Sequence, residues 1–190
     1  MATTPSYSDK TWQELEIACA FLPWYNLFSK TQFSVLGPGV PPEPDVLLGD
    51  SQGGERIGIE VATAYYGPDH ARADWERRRG KTIPDYQITQ RDSAMNTQVL
   101  EEVGRLLQQK SEKCYTVRGR LLLVVFTFPW RLYLEEVEEN LKALPVPASH
   151  PFHEIYVVSQ NDEAYCLFPK RGSIVPDPVT FNYLRGKEST

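Results

Sequence analysis

Pro44-Asp45-Val46-Leu47-Leu48 and Ile57-Gly58-Ile59-Glu60-Val61-Ala62 are two short apolar runs, separated by the turn Gly49-Asp50-Ser51-Gln52-Gly53-Gly54-Glu55-Arg56. Apolar runs on either side of a Gly-Gly turn predict a β-hairpin, here over residues 45–64. Each run carries one carboxylate among residues expected to be buried: Asp45 opens the first strand, and Glu60 lies between Ile59 and Val61. A buried carboxylate is costly unless something compensates it, and a divalent metal is the usual compensation where two converge. The competing reading makes Asp45 a turn or strand-start cap and Glu60 a solvent-facing residue of an edge strand.

Around this hairpin the chain alternates helical and strand patterns. Thr11 to Tyr25 predicts a helix, with Leu15, Ala18, Cys19 and Leu22 at helical spacing and Ser8 or Asp9 as its N-cap. Pro23 is expected to bend that helix or end it early. Gln32 to Leu36 reads as a first strand. Thr97 to Cys114 is the clearest helix, striped by Val99, Leu100, Val103, Leu106, Leu107 and Cys114. Arg120 to Phe128 (RLLLVVFTF) is almost continuously apolar, which suits a central strand covered on both faces. A second amphipathic helix is expected over Leu132 to Leu144, then a hairpin of Glu154–Ser159 and Ala164–Phe168 around Gln160-Asn161-Asp162-Glu163. The tail from Pro176 reads as a short helix and a polar end. This order predicts an α/β sandwich, helices flanking a central mixed β-sheet.

The 190 residues fit a single domain, 1–190, and 41% hydrophobic with 24% charged residues places the chain among ordinary globular proteins. No apolar run approaches a membrane span, and the polar start Met1 to Lys10 has no signal-peptide core. Cys19, Cys114 and Cys166 never form a Cys-x-x-Cys pair, which suits a reduced cytoplasmic protein. Residues 67–96 form a polar, irregular insertion rich in charge. Within it Arg77, Arg78, Arg79 and Lys81, beside Trp75 and Tyr86, are the candidate nucleic-acid contacts. The alternative is that Asp74 and Glu76 ion-pair these side chains along a solvated helix. A net charge of −5 argues against a strong positive field over the whole chain.

Helix, a hairpin bearing Pro-Asp and an internal Glu, then helix and strand: this arrangement resembles the PD-(D/E)xK nuclease superfamily, the restriction-endonuclease-like fold, over roughly residues 11–128. The resemblance implies Mg²⁺, with Mn²⁺ as a substitute, held by Asp45, Glu60 and the carbonyl of Val61. It implies hydrolysis of nucleic-acid phosphodiester bonds, DNA ahead of RNA, and the homodimers common in that class, although the chain shows no dimer seam. The family lysine, two residues past the glutamate, is Ala62 here. Some branches supply it from the following helix. At 100° per residue Lys110 falls near the middle of the apolar stripe of Thr97–Cys114 and Lys113 at its edge. Lys110 is the expected replacement. Its competing reading is a helix C-terminal lysine that runs its stem along the core. A further family acid on the first helix is matched by Glu14, with Glu16 as competitor.

Pro-Asp also occurs at residues 68, 84 and 176, and only Pro44-Asp45 leads into a strand, a turn and a second strand with an internal glutamate. His150-Pro151-Phe152-His153 reads as a loop, and His70 as a solvated loop histidine. Serine- and cysteine-nucleophile signatures, Walker loops and dinucleotide fingerprints are absent. Two non-catalytic readings stand beside the nuclease: a nuclease-like fold kept as a binding module, and a protein-interaction domain that uses its acidic surface.

Overall fold

The structure is a computed structural model and describes residues 7–50, 54–81, 93–128, 134–159 and 164–174. Among these residues the chain forms helices α1 (Asp9–Ser29), α2 (Pro68–Arg78), α3 (Ser93–Ser111) and α4 (Leu134–Ala143). Its strands are β1 (Phe33–Pro38), β2 (Val46–Asp50), β3 (Arg56–Tyr65), β4 (Arg120–Phe128), β5 (Glu154–Val158), β6 (Ala164–Phe168) and β7 (Gly172–Ile174). They make one mixed sheet in sequence order, β1-β2-β3-β4-β5-β6-β7. The three middle strands β3, β4 and β5 are parallel, and an antiparallel pair lies on each side. The predicted α/β layering with a mixed sheet is what the chain adopts.

The near-continuous apolar run of β4 follows from this topology. Leu121, Leu123 and Val125 point to the face covered by α3 and α4, while Leu122 and Val124 point to the face covered by α1. All five are 0–1% exposed. The crossovers from β3 to β4 and from β4 to β5 step the same way across the sheet. A common hand then puts α3 and α4 on the same face.

Among the described residues α1 is the helix that covers the other face, and it is longer than its pattern predicts. Its N-cap is Ser8, whose hydroxyl accepts from Thr11 N at 3.1 Å. Pro23 lies inside the helix instead of ending it. Pro23 has no amide to donate to the Cys19 carbonyl, and both residues are exposed, so the missing helical bond falls on the water side. Buried aromatic packing carries the helix through: Trp24 and Tyr25 meet the Tyr156 ring at 5.5 and 6.1 Å.

Two other expectations need correction. Residues 67–96 are not irregular throughout, because α2 occupies their first part and α3 begins at Ser93. Helix α3 ends at Ser111, and Cys114 lies past it, exposed. Strand β7 has no counterpart in the predicted elements. The short helix in the tail from Pro176, the turn Gln160–Glu163, Tyr86 and the start of the fourth helix at Leu132 lie outside the described residues. Among the described residues no helix is long and apolar enough to cross a membrane.

Leu123 packs beneath α3 and α4, so truncation there should loosen that layer. Leu123→Ala is expected to lower stability by about 2–5 kcal/mol, read as a shifted midpoint in urea denaturation.

Candidate functional site

The site lies where β2 stops and β3 continues. The register pairs Val46 with Ile59, so Asp45, one residue earlier, stands opposite Glu60. Beyond that point β3 remains paired with β4 through Tyr65 but has no strand on its β2 side among the described residues. The edge of β3 that β2 would have covered is therefore open from Val61 onward. Buried backbone groups need partners, and side chains supply them. The Asp45 carboxylate accepts the Val61 amide at 2.9 Å through Oδ2, and the Lys110 ammonium donates to the Val61 carbonyl at 3.1 Å.

Lys110 reaches this point from the last turn of α3. Val99, Val103, Leu106 and Leu107 seat α3 against the sheet face that carries Ala62 and Ala64. Glu60 alternates with Ala62 and points to the same face. Lys110 Nζ lies 2.5 Å from Glu60 Oε1 and 4.0 Å from Asp45 Oδ2. Glu60 is 3% exposed and Lys110 8%, so the pair is a desolvated, charge-assisted contact. Lys113 stands farther out, half-exposed, at 3.6 Å from the same Glu60 oxygen. Of the two lysines named from the sequence, Lys110 makes the close contact. Ala62 leaves the space its side chain occupies.

Of the two α1 acids, Glu14 is buried and faces the site, whereas Glu16 is exposed and pairs with Arg78 at 2.9 Å. Burial raises the Glu14 pKa, the bond to Lys10 at 2.8 Å opposes that shift, and the Asp45 carboxylate adds to it. The Lys10 pKa is raised in turn, chiefly by its bond to Glu14. A cleft of about 310 Å³ opens beside the open edge of β3. Lys10, Gln13 and Glu14 of α1 line one wall, and Leu106, Gln109 and Lys110 of α3 line another. Val61, Ala62, Thr63 and Tyr65 of β3 lie between them, with Trp75 of α2 at the side.

Several residues of this site had no counterpart in the sequence reading. Tyr115 donates to the Lys110 carbonyl at 3.4 Å. Its pKa is pushed up by burial and then by the nearby Glu60 and Asp45 carboxylates. Gly58 is one pleat before Glu60, and a Cβ there would fall 2.3 Å from Pro44 Cγ and 3.0 Å from Val117 Cγ2. Its absence lets Pro44 pack over β3 and hold Asp45 in place. A glycine inside a strand pattern signals such a close approach, and that signal was available. Lys10 carried none.

Helix α2 is fastened beside the cleft by polar contacts. Asp74, 5% exposed, accepts from the Gln13 amide at 3.1 Å, the Tyr65 hydroxyl at 2.9 Å and Arg78 Nε at 3.3 Å. Burial pushes the Tyr65 pKa up to about 12. The basic residues of this segment face carboxylates within the fold. Arg78 pairs with Glu16 and Asp74, Arg79 with Asp9 at 3.1 Å, and Lys81 with Glu76 at 3.5 Å. Asp74 and Glu76 are partners of Arg78 and Lys81, whereas Arg79 and the second contact of Arg78 use Asp9 and Glu16 of α1, and none of the three basic residues lines the cleft. The Arg77 side chain lies outside the described residues.

His150 and His153 each accept a backbone amide through Nδ1 at 3.2 Å, from Phe152 and Leu121 respectively. His70 packs edge-on to Tyr66 at 5.1 Å, and burial lowers its pKa. Among the described residues no group of three or more His, Cys, Asp or Glu side chains is arranged to hold a metal ion. The set Asp45, Glu60 and Val61 carbonyl has a different make-up, two carboxylates and one backbone oxygen. These oxygens converge on one cation, the Lys110 ammonium, and an all-oxygen set of this kind suits a hard divalent ion. The residues present fit a magnesium-type ion.

Glu14 gives a pH-dependent signature. A carboxyl with a raised folded pKa stabilises the fold most below its unfolded value near 4.5, and that contribution is lost as pH rises through the folded value. Between pH 4 and pH 7, wild type is expected to lose stability relative to Glu14→Gln, measured as the difference in urea midpoints at the two pH values. A difference independent of pH would contradict the placement of Glu14.

Comparison with protein-family models, with curated proteins and with solved structures finds no match to this chain. The functional reading therefore rests on the site.

Proposed function

We propose that this chain is a metal-dependent nuclease with a restriction-endonuclease-like fold, its motif lysine supplied by α3. The observation that carries this reading is the convergence of Asp45, Glu60 and the Val61 carbonyl on Lys110, beside an open cleft. Order along the chain supports it: helix, a hairpin with Asp and Glu on facing strands, then a helix and a parallel strand.

Asp45, Glu60 and the Val61 carbonyl would hold Mg²⁺, or Mn²⁺ in its place. Bound there, the ion would polarise a phosphate and lower the pKa of a coordinated water. The protein's own groups have separate tasks. Lys110 Nζ donates to negative charge that develops on the phosphate oxygens or orients the attacking water. Lys10, largely in solvent, and Lys113, half-exposed, attract the phosphate backbone at the cleft. Glu14 holds Lys10 at the rim and keeps the α1 wall acidic.

The basic row of α2 takes a smaller part than its composition suggests. Arg78, Arg79 and Lys81 are each matched by a carboxylate, so they contribute little net field. With a net charge of −5, binding should depend on the cleft lysines and weaken with added salt. DNA is the preferred substrate of this proposal, with RNA as the comparison. A second reading is favoured by one observation: Lys110 pairs directly with the buried Glu60, a contact that a non-catalytic binding module of the same fold would also use.

The test is cleavage of single- and double-stranded DNA and RNA with Mg²⁺, Mn²⁺ or chelator. Wild type should cut in metal and not in chelator. Asp45→Ala, Glu60→Ala and Lys110→Ala should each lose about 10²-fold or more in rate. Inert wild-type protein on every substrate would transfer the reading to the binding module.

A further inference from the structure

The Glu60 and Val61 oxygens are already ligands to a cation. Lys110 Nζ donates to Glu60 Oε1 at 2.5 Å and to the Val61 carbonyl at 3.1 Å, and Asp45 Oδ2 is 4.0 Å away. These are the same three oxygens that the proposed function assigns to a divalent ion. An ammonium and a metal ion held by one set of oxygens repel each other, and both draw on the lone pairs of Glu60 Oε1 and the Val61 carbonyl. Ammonium and metal ion therefore compete for the site.

The surroundings allow the exchange. Lys110 sits in the last turn of α3 on a four-carbon stem, so its head can move without its backbone. Ala62, beside it on β3, ends at Cβ, and the cleft of about 310 Å³ begins there. Charge points the same way. Lys10, Lys110 and Lys113 formally balance Glu14, Asp45 and Glu60, so the cluster is neutral with the ammonium in place. A divalent ion would leave it with two surplus positive charges and Lys110 turned towards the cleft, where a phosphodiester would compensate them.

We infer that Lys110 is the resident counter-cation of the Asp45–Glu60–Val61 oxygen site and that a divalent ion binds there by exchange with it. The inference rests on the metal reading of the preceding subsection and adds to it. Metal affinity is set against the protein's own ammonium, and the displaced lysine is delivered to the phosphate side of the cleft. It also explains how two carboxylates are accommodated in a buried setting before any metal arrives.

The experiment measures Mn²⁺ binding to the full chain, with the metal alone, by calorimetry or electron paramagnetic resonance. Wild type is compared with Lys110→Met. Exchange predicts that the variant binds Mn²⁺ tighter by about ten-fold or more, because removing a competing like charge favours the ion. The same change should abolish cleavage, so affinity and rate move in opposite directions.

A second measurement needs no variant. Acylation of lysines in wild type, read peptide by peptide by mass spectrometry, should rise several-fold at Lys110 when Mn²⁺ is added, as its buried ammonium is released. Equal or weaker Mn²⁺ binding by Lys110→Met overturns the exchange and leaves the metal reading standing. So does unchanged Lys110 acylation in Mn²⁺-loaded wild type. No Mn²⁺ binding by either protein overturns both.

Discussion

A glutamate on the inside of a parallel sheet needs a counter-cation, and much of this molecule is arranged around that need. Glu60 is 3% exposed on a strand whose other inward neighbours are apolar. Ionised and unpaired, it would cost several kcal/mol in such surroundings. The ammonium that answers it comes from fifty residues later, at the end of α3. The apolar stripe of α3 therefore has two effects. It covers the sheet, and it sets the height at which Lys110 meets Glu60. Asp45 and Tyr115 complete the surroundings, one taking the Val61 amide and the other reaching back to the Lys110 carbonyl.

The same contacts solve a backbone problem. Strand β2 is shorter than β3, and a bare strand edge with unpaired amides and carbonyls is unfavourable where water is restricted. Asp45 and Lys110 cap the amide and the carbonyl of Val61, and past them the edge opens into the cleft. Structural and chemical roles coincide in these residues, so their presence alone does not distinguish a nuclease from a binding module of the same shape. Reactivity separates the two. Helix α2 borders the cleft by a different device, a buried carboxylate at Asp74 held by Gln13, Tyr65 and Arg78.

Much of the fold was legible because its signals are local. The Gly-Gly turn between apolar runs marked the β2–β3 hairpin, and the unbroken run of β4 marked a strand covered on both faces. Lys110 was legible too, since helical periodicity alone puts it on the buried stripe of α3. Other features had no local signal. Helix α2 lacks an apolar stripe, because it is fastened through Asp74. That α1 runs past Pro23 had no local signal, because the buried aromatic residues that carry the helix on pack against a distant strand. The partners of Arg78 and Arg79 on α1 lie 62 and 70 positions away, so composition suggested free positive charge where the fold has matched pairs. Lys10 belongs to the site through the packing of α1 against β3, a long-range contact with no local signal.

The central claim is that Glu60 and Lys110 are energetically coupled across the β3–α3 interface. A double-mutant cycle measures it most directly: urea unfolding in chelator of wild type, Glu60→Gln, Lys110→Met and the double variant. The account predicts that each single change destabilises the protein while the double variant recovers a large part, with a coupling energy of about 2 kcal/mol or more. Effects that add to within about 0.5 kcal/mol would contradict it.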